Sequence, residues 1–124
     1  MITDLEEIKK SIIASCKAQV PPLRIKNDVI ENFELSGRKE VMQGRKMVDG
    51  IFFSAVVPKA KDIRLYFFPI YTHADAFSNL SEELRKSLKG KSCFHIKKMS
   101  NEMEAEIKEM IKKGVELYKE EGLI

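Results

Sequence analysis

One segment of the chain, residues 50–68, constrains the fold more than any other. It contains two dense runs of β-forming residues, GIFFSAVV (residues 50–57) and IRLYFF (residues 63–68). The five residues between them are mostly polar and begin with Pro58, which is typical of the end of a strand. Two strong strands joined by a short polar loop predict an antiparallel β-hairpin at the centre of the chain.

Amphipathic helices are predicted at both ends of the chain. Apolar residues recur every three or four positions over residues 2–18, and again over residues 100–119. Val20-Pro21-Pro22 ends the first helix, because proline lacks an N–H donor and disfavours helix in the residue before it. A shorter helix is predicted over residues 81–88, with Ser81 as its N-cap.

Weaker strand signals lie on either side of the central hairpin. Residues 29–35 predict a first strand and residues 39–43 a return strand, while residues 93–97 predict a last short strand. A run of antiparallel strands can bury one face against two helices. The predicted fold class is therefore α+β: a two-layer sandwich in which the N- and C-terminal helices pack on one face of an antiparallel sheet of about five strands. We expect one domain over residues 1–124.

The alternation of side chains within residues 63–68 assigns them to the two faces of the sheet. Leu65 and Phe67 share a face that is predicted to pack against the helices. Tyr66 and Phe68 share the other face, which is then unusually aromatic for a surface that meets only water. The residues predicted to be buried are Leu5, Ile8, Ile12, Phe53, Leu65, Phe67, Ile107 and Ile111.

Charge and composition narrow the classes of function. The net charge of +3 is small for a nucleic-acid-binding protein, and no apolar run approaches the ~20 residues that span a bilayer. Cys16 and Cys93 are far apart and form no CxxC pair, which is typical of free thiols in a cytoplasmic protein. The N-terminus has neither the basic start nor the small-residue cleavage site of a secretory signal. The glycines do not show a phosphate-cradling spacing, which argues against a nucleotide enzyme.

Basic and aromatic residues together supply a candidate binding surface. Residues 85–98 contain six cationic residues and no acidic one. Cations interleaved with aromatic rings suit a phosphate or carboxylate ligand. The alternatives are a solvated basic edge that discourages pairing between sheets, and a loop of residues 74–80 that folds back over the aromatic side chains. The candidate ligand-binding residues are Arg45, Lys46, Tyr66, Phe68, Tyr71, His73, Lys91 and His95.

Two other arrangements involve Cys93 and His95, which are two residues apart on a predicted strand and therefore share a face. With His73 and Asp75 they would form a mixed metal site, but no closely spaced second pair of ligands accompanies them. Nearby lysines favour a Cys93 thiolate, yet no third group is evident to orient a base beside it. The sequence therefore predicts no metal site, no catalytic residue and no cofactor.

Three further segments form a recognisable set: GRKMVDG (residues 44–50), YFFPIYTH (residues 66–73) and KGKSCFHIKK (residues 89–98). Together they resemble the YdhG-like family of small bacterial domains of unknown function. The resemblance covers roughly residues 30–120. It implies a helix, an antiparallel sheet and further helices packed on one face. Some members are described as frataxin-like intracellular iron chaperones, a function attributed to carboxylates on the first helix and the adjoining strand.

The function predicted from the sequence is a non-enzymatic binding domain for a small anionic ligand or a protein partner, with a homodimer as one form of that partner. The alternatives are a frataxin-like iron chaperone and a small enzyme whose site the sequence does not reveal. The first helix offers only Asp4, Glu6 and Glu7 before it turns basic, whereas iron prefers clustered oxygen ligands. We therefore expect no tight iron site.

Overall fold

The computed structural model describes residues 1–124 as an α+β fold with one six-stranded sheet and a separate two-stranded hairpin. The helices are α1 (Leu5–Lys17), α2 (Pro69–Thr72), α3 (Glu82–Ser87) and α4 (Asn101–Glu120), with a 3-10 turn at Ala74–Phe77. The strands are β1 (Arg24–Val29), β2 (Asn32–Ser36), β3 (Glu40–Gln43), β4 (Lys46–Asp49), β5 (Phe52–Pro58), β6 (Ile63–Phe67), β7 (Leu88–Lys89) and β8 (Cys93–Ile96).

The large sheet is antiparallel throughout, in the order β1-β2-β5-β6-β8-β7, and α1 and α4 pack together against one face of it. The predicted fold class is thus confirmed, with six strands rather than about five. The central hairpin is β5 and β6, in which Val56 lies opposite Leu65. No helix in the structure combines the length and apolar character that a bilayer crossing requires.

The buried core lies between the two long helices and the sheet. Ile8 and Ile12 of α1, and Ile107 and Ile111 of α4, are at most 1% exposed. Of the eight residues predicted to be buried, seven are buried, and only Leu5 is half-buried. Leu5 opens the first turn of α1 and therefore lies at the edge of the helix–sheet contact.

Helix boundaries follow local capping chemistry. The Ser81 hydroxyl accepts a hydrogen bond from the Leu84 N–H at 3.2 Å at the start of α3. The Ser100 hydroxyl accepts one from the Met103 N–H at 3.0 Å at the start of α4. Both caps satisfy a backbone donor that has no partner within its own helix.

Helix α4 approaches β6 closely because residue 114 has no side chain. A Cβ atom at Gly114 would lie 2.8 Å from Cζ of Phe67 and 3.0 Å from Cγ of Pro69. Both distances are shorter than an ordinary carbon–carbon contact. Gly114 therefore sets the distance between α4 and the sheet.

The strands before the central hairpin differ from the prediction. Residues 29–35 do not form one strand, because a turn at Ile30 and Glu31 separates β1 from β2. β1 had no sequence signal, because it is an edge strand in which five of six residues are exposed. The return strand, β3, pairs with β4 in its own hairpin and not with β2, and β4 was also not predicted.

A β-bulge near the start of β5 changes the face of the sheet on which its first side chains lie. Leu35 lies opposite Ser54 and Ser36 opposite Phe52, so Phe53 is an extra residue in the ladder. The Phe53 ring meets the Phe67 ring edge-on on the helix-covered face, with 5.6 Å between centroids. The bulge leaves the neighbouring Phe52 side chain on the opposite face.

Candidate functional site

The face of the sheet opposite α1 and α4, which we call the open face, carries a row of aromatic side chains. Phe52 of β5 and Phe68, which follows β6, have ring centroids 5.8 Å apart. Phe68 in turn stacks on Tyr71 of α2 at 5.9 Å, with 27° between the ring planes. Phe52 and Phe68 are half-buried, and Tyr71 is 51% exposed. We call these three side chains the aromatic row.

Cationic groups lie at the aromatic row. The Lys91 ammonium lies 5.4 Å from the centroid of the Tyr71 ring, a cation–π distance. Gln43, at the turn end of the β3–β4 hairpin, accepts a hydrogen bond from the Phe52 N–H through its side-chain oxygen at 2.9 Å. That bond fastens the end of the hairpin that carries Arg45 and Lys46 to the start of β5, where the aromatic row begins.

The segment that could have covered the open face lies on the other side of the sheet. Phe77 is 4% exposed, and its ring meets the Phe67 ring edge-on at 5.5 Å on the helix-covered face. The Lys113 ammonium of α4 donates to the Ala76 carbonyl, which holds the same segment against the helix. Residues 74–77 therefore do not cover Tyr66 and Phe68.

A polar cluster continues the open face beyond the aromatic row. Arg64 lies opposite His95, and Tyr66 lies opposite Cys93, on the adjacent strands β6 and β8. Asp62 precedes β6 and is only 6% exposed as a residue. Its Oδ1 accepts a hydrogen bond from Arg64 Nε at 3.2 Å, and its Oδ2 lies 3.7 Å from His95 Nδ1. The buried carboxylate thus faces the Arg64 guanidinium on one side and the His95 ring on the other.

His73 lies apart from the other candidate residues. Its Nε2 donates a hydrogen bond to the Glu121 carboxylate, and its ring centroid is 5.6 Å from that of Tyr118. Burial raises the pKa of the Tyr118 hydroxyl to about 12. The contacts of His73 therefore join the end of α2 to the end of α4. The open face and its rim hold the other candidates, Tyr66, Phe68, Tyr71, Lys91 and His95.

Neither cysteine has the environment of a nucleophile. Burial raises the pKa of the Cys16 thiol to about 12. Burial also raises the pKa of the Cys93 thiol, and a hydrogen bond with Tyr66 and the charge of Arg64 only partly oppose this. Loss of hydration thus outweighs the lysine-rich sequence around Cys93, which had favoured a thiolate. Both cysteines are free of disulfide bonds.

Carboxylate, imidazole and thiol ligands do not gather at one place. The structure contains no group of three or more His, Cys, Asp or Glu side chains that could hold a metal ion. On α1, Glu6 and Glu7 lie 3.9 Å from the ammonium groups of Lys9 and Lys10 respectively. An ion bound by these two carboxylates would have to displace both lysines.

The sequence analysis did not include Phe52, Gln43 or Asp62 among the candidate residues. Strict alternation along β5 would have placed Phe52 on the helix-covered face, and the bulge at Phe53 moves it to the open face. Gln43 contacts the Phe52 N–H, nine residues further along the chain, through its side chain, and no local sequence pattern predicts such a contact. Asp62 had a usable signal, since an acidic residue directly before a strand can reach the arginine two positions on.

Comparisons with known proteins found no matching protein-family model, no matching curated protein and no matching solved structure.

Proposed function

We propose that this protein is a non-enzymatic binding domain and that its open face binds a small ligand with a planar apolar group and an anionic group. The observation that carries the proposal is the aromatic row, which remains partly exposed beside Lys91. A planar ring would stack on Tyr71, the most exposed member of the row. The anionic group would meet Lys91, with Arg45 and Lys46 of the tethered hairpin as further cations.

The expected affinity is modest. Offset stacking of two aromatic rings contributes about 0.5–1.5 kcal/mol beyond the area it buries. A cation–π or ion-pair contact at an exposed site contributes about 0.5–1 kcal/mol. Since the row is a shallow surface and not an enclosed cavity, we expect dissociation constants of about 0.1–1 mM for simple ligands.

The test compares two ligands that differ in charge but not in ring, 1-naphthoate and 1-naphthamide, by titration of ¹⁵N-labelled protein. We expect 1-naphthoate to shift the amide resonances of Phe68 and Tyr71, and to bind more tightly than the neutral amide. Lys91→Gln should weaken 1-naphthoate by about threefold. Lys112→Gln, an exposed lysine on α4, is the matched control and should change nothing. Equal binding of the two ligands, or equal effects of the two variants, would contradict the proposal.

The same face would also serve a protein partner or a second copy of the chain, which the sequence analysis kept as alternatives. Sedimentation equilibrium separates these from a small-ligand site. A monomeric wild-type protein that binds 1-naphthoate supports the ligand site. A dimer that dissociates when Tyr71 is changed to Ser assigns the face to self-association instead.

The family of the protein and its cellular location are further parts of this proposal. We propose that it belongs to the YdhG-like family on the three segments that resemble it, and that it is cytoplasmic, since both of its thiols are free. The frataxin-like alternative has weaker support, because the α1 carboxylates are paired with lysines. Anaerobic calorimetric titration with ferrous iron tests it. Micromolar binding that is lost on changing Asp4, Glu6 and Glu7 to amides would favour the iron chaperone.

A further inference from the structure

A cleft with a volume of about 610 Å³ lies apart from the aromatic row, between α3 and the end of β8. It exists because β7 has only two residues, which pair with Cys93 and Phe94 of β8. Beyond Phe94 the outer edge of β8 has no neighbouring strand, and α3 packs beside it. The volume is within the range of sites that bind metabolites.

Three lysines at this cleft have no carboxylate partner. Lys89 follows α3, and Lys97 and Lys98 follow β8. All three are exposed, and none takes part in an ion pair. Cations held around one concavity repel one another, and an anion that enters removes that repulsion.

The carboxylates that line the cleft are already engaged. The Glu82 carboxylate is paired with the Lys86 ammonium on the next turn of α3, at 3.2 Å. The Glu83 carboxylate accepts a hydrogen bond from the Ser100 hydroxyl at 2.8 Å. Asp62, the third carboxylate of the lining, faces Arg64 and His95, so no carboxylate of the cleft forms an ion pair with Lys89, Lys97 or Lys98.

His95 adds a polar ring to the lining of the cleft. Its Nδ1 faces the buried Asp62 carboxylate at 3.7 Å, while its Nε2 has no hydrogen-bond partner in the chain. The Nε2 side of the ring is therefore available to a group that enters the cleft.

Helix α4 begins beside the same cleft. Ser100 caps this 20-residue helix, and Met103 of its first turn lines the cleft. The N-terminal end of a helix carries partial positive charge, which adds to that of the lysines. The cleft thus combines three unpaired cations, a free imidazole nitrogen and a helix start.

We propose that this cleft binds the phosphate group of a small phosphate monoester. A dianion of this size matches several separate cations better than a single carboxylate does, and lysine binds phosphate as a point charge. The site goes beyond the open-face site, since the aromatic row and Lys91 take no part in it.

The test is a titration of the whole protein with glycerol 3-phosphate, followed through the imidazole resonances of His95 and the amides of Ser87 and Lys97. We expect saturable shifts at these positions, with a dissociation constant below about 1 mM at low salt. The variant Lys97→Gln/Lys98→Gln should bind at least about tenfold more weakly. The matched control Lys112→Gln/Lys119→Gln removes the same charge from exposed positions on α4 and should bind as wild type does.

Inorganic phosphate and glycerol distinguish the sources of binding. Inorganic phosphate that shifts the same resonances supports the phosphate site, and tighter binding of glycerol 3-phosphate assigns it to a metabolite. Binding of glycerol alone, no shift of His95 up to about 20 mM ligand, or equal weakening by the control variant would overturn the inference. The Lys97→Gln/Lys98→Gln variant should keep its affinity for 1-naphthoate. The proposal for the cleft and the proposal for the open face are therefore tested independently.

Discussion

The ring of Phe77 meets the ring of Phe67 edge-on, with 5.5 Å between their centroids, on the helix-covered face of the sheet. This contact holds the segment that follows α2 against the helix-covered face of β6 and away from Tyr66 and Phe68. The aromatic row is consequently left at the surface, where its rings are within reach of a ligand or a partner. Its remaining exposure, with Lys91 beside it, is the reason to regard the open face as functional.

The two faces of β6 should differ in their effect on stability. We expect Phe67→Ala to lower the free energy of unfolding by about 3–5 kcal/mol, because it empties a fully buried position. The double variant Tyr66→Ser/Phe68→Ser should lose only about 1–2 kcal/mol, because both side chains are half-buried. Urea denaturation measures both. A double variant less stable than Phe67→Ala would mean that the open face is part of the core.

Gly114→Ala should destabilise the protein although alanine favours helix. The helix propensity gain is about 1 kcal/mol, but the added Cβ would lie 2.8 Å from Cζ of Phe67. Overpacking of this kind costs about 1–3 kcal/mol, so we expect a net loss. The double variant Gly114→Ala/Phe67→Leu should lose less than the sum of the two single variants. Additive losses in urea denaturation would show that the two residues are not in contact.

The hairpin that carries Arg45 and Lys46 should depend on Gln43. Gln43→Ala removes the oxygen that accepts the Phe52 N–H, so the Phe52 amide should exchange with solvent faster than in the wild-type protein. The matched control is Met42→Ala, an exposed neighbour on the same strand. Native-state hydrogen exchange measures both variants. Unchanged protection of Phe52 in Gln43→Ala would show that the tether does not hold the hairpin.

Stability should fall at alkaline pH through Cys16. Its thiol has a pKa of about 12 in the folded protein and 9.0 as the reference value, so the folded state keeps a proton that the unfolded state releases. The contribution is therefore fully present below pH 9.0 and is lost as the pH rises toward 12, with a slope of at most about 1.4 kcal/mol per pH unit. Unfolding free energies measured at pH 8.5 to 10.5 should decline more steeply in the wild-type protein than in Cys16→Ala. Equal slopes would contradict this assignment.

The sequence predicted those elements whose pattern is local and strong. The β5–β6 hairpin and α4 have continuous apolar periodicity, and Ser100 supplies the cap of α4, so each was found close to its true bounds. β1 escaped prediction because an exposed edge strand needs no apolar face. The sequence of such a strand lacks the alternation of apolar and polar residues from which a strand is predicted.

The candidate site was only partly predictable, because its geometry depends on contacts between distant residues. Alternation along β6 placed Tyr66 on the open face beside Phe68, as the structure has them. His73 was grouped with them because it follows Tyr71, yet its partner Glu121 lies 48 residues further along the chain. The stacking of Lys91 on Tyr71 is likewise a tertiary contact. Contacts between residues so far apart in the chain cannot be predicted from sequence spacing alone.

The most direct measurement of the central claim is the set of intermolecular nuclear Overhauser effects between 1-naphthoate and the aromatic rings of the protein. If the open face is the binding surface, the naphthalene protons should show contacts to Phe68 and Tyr71, and these should weaken in Lys91→Gln. Contacts to Phe77 or Tyr118 instead, or none at a ligand concentration that saturates the amide shifts, would contradict the account.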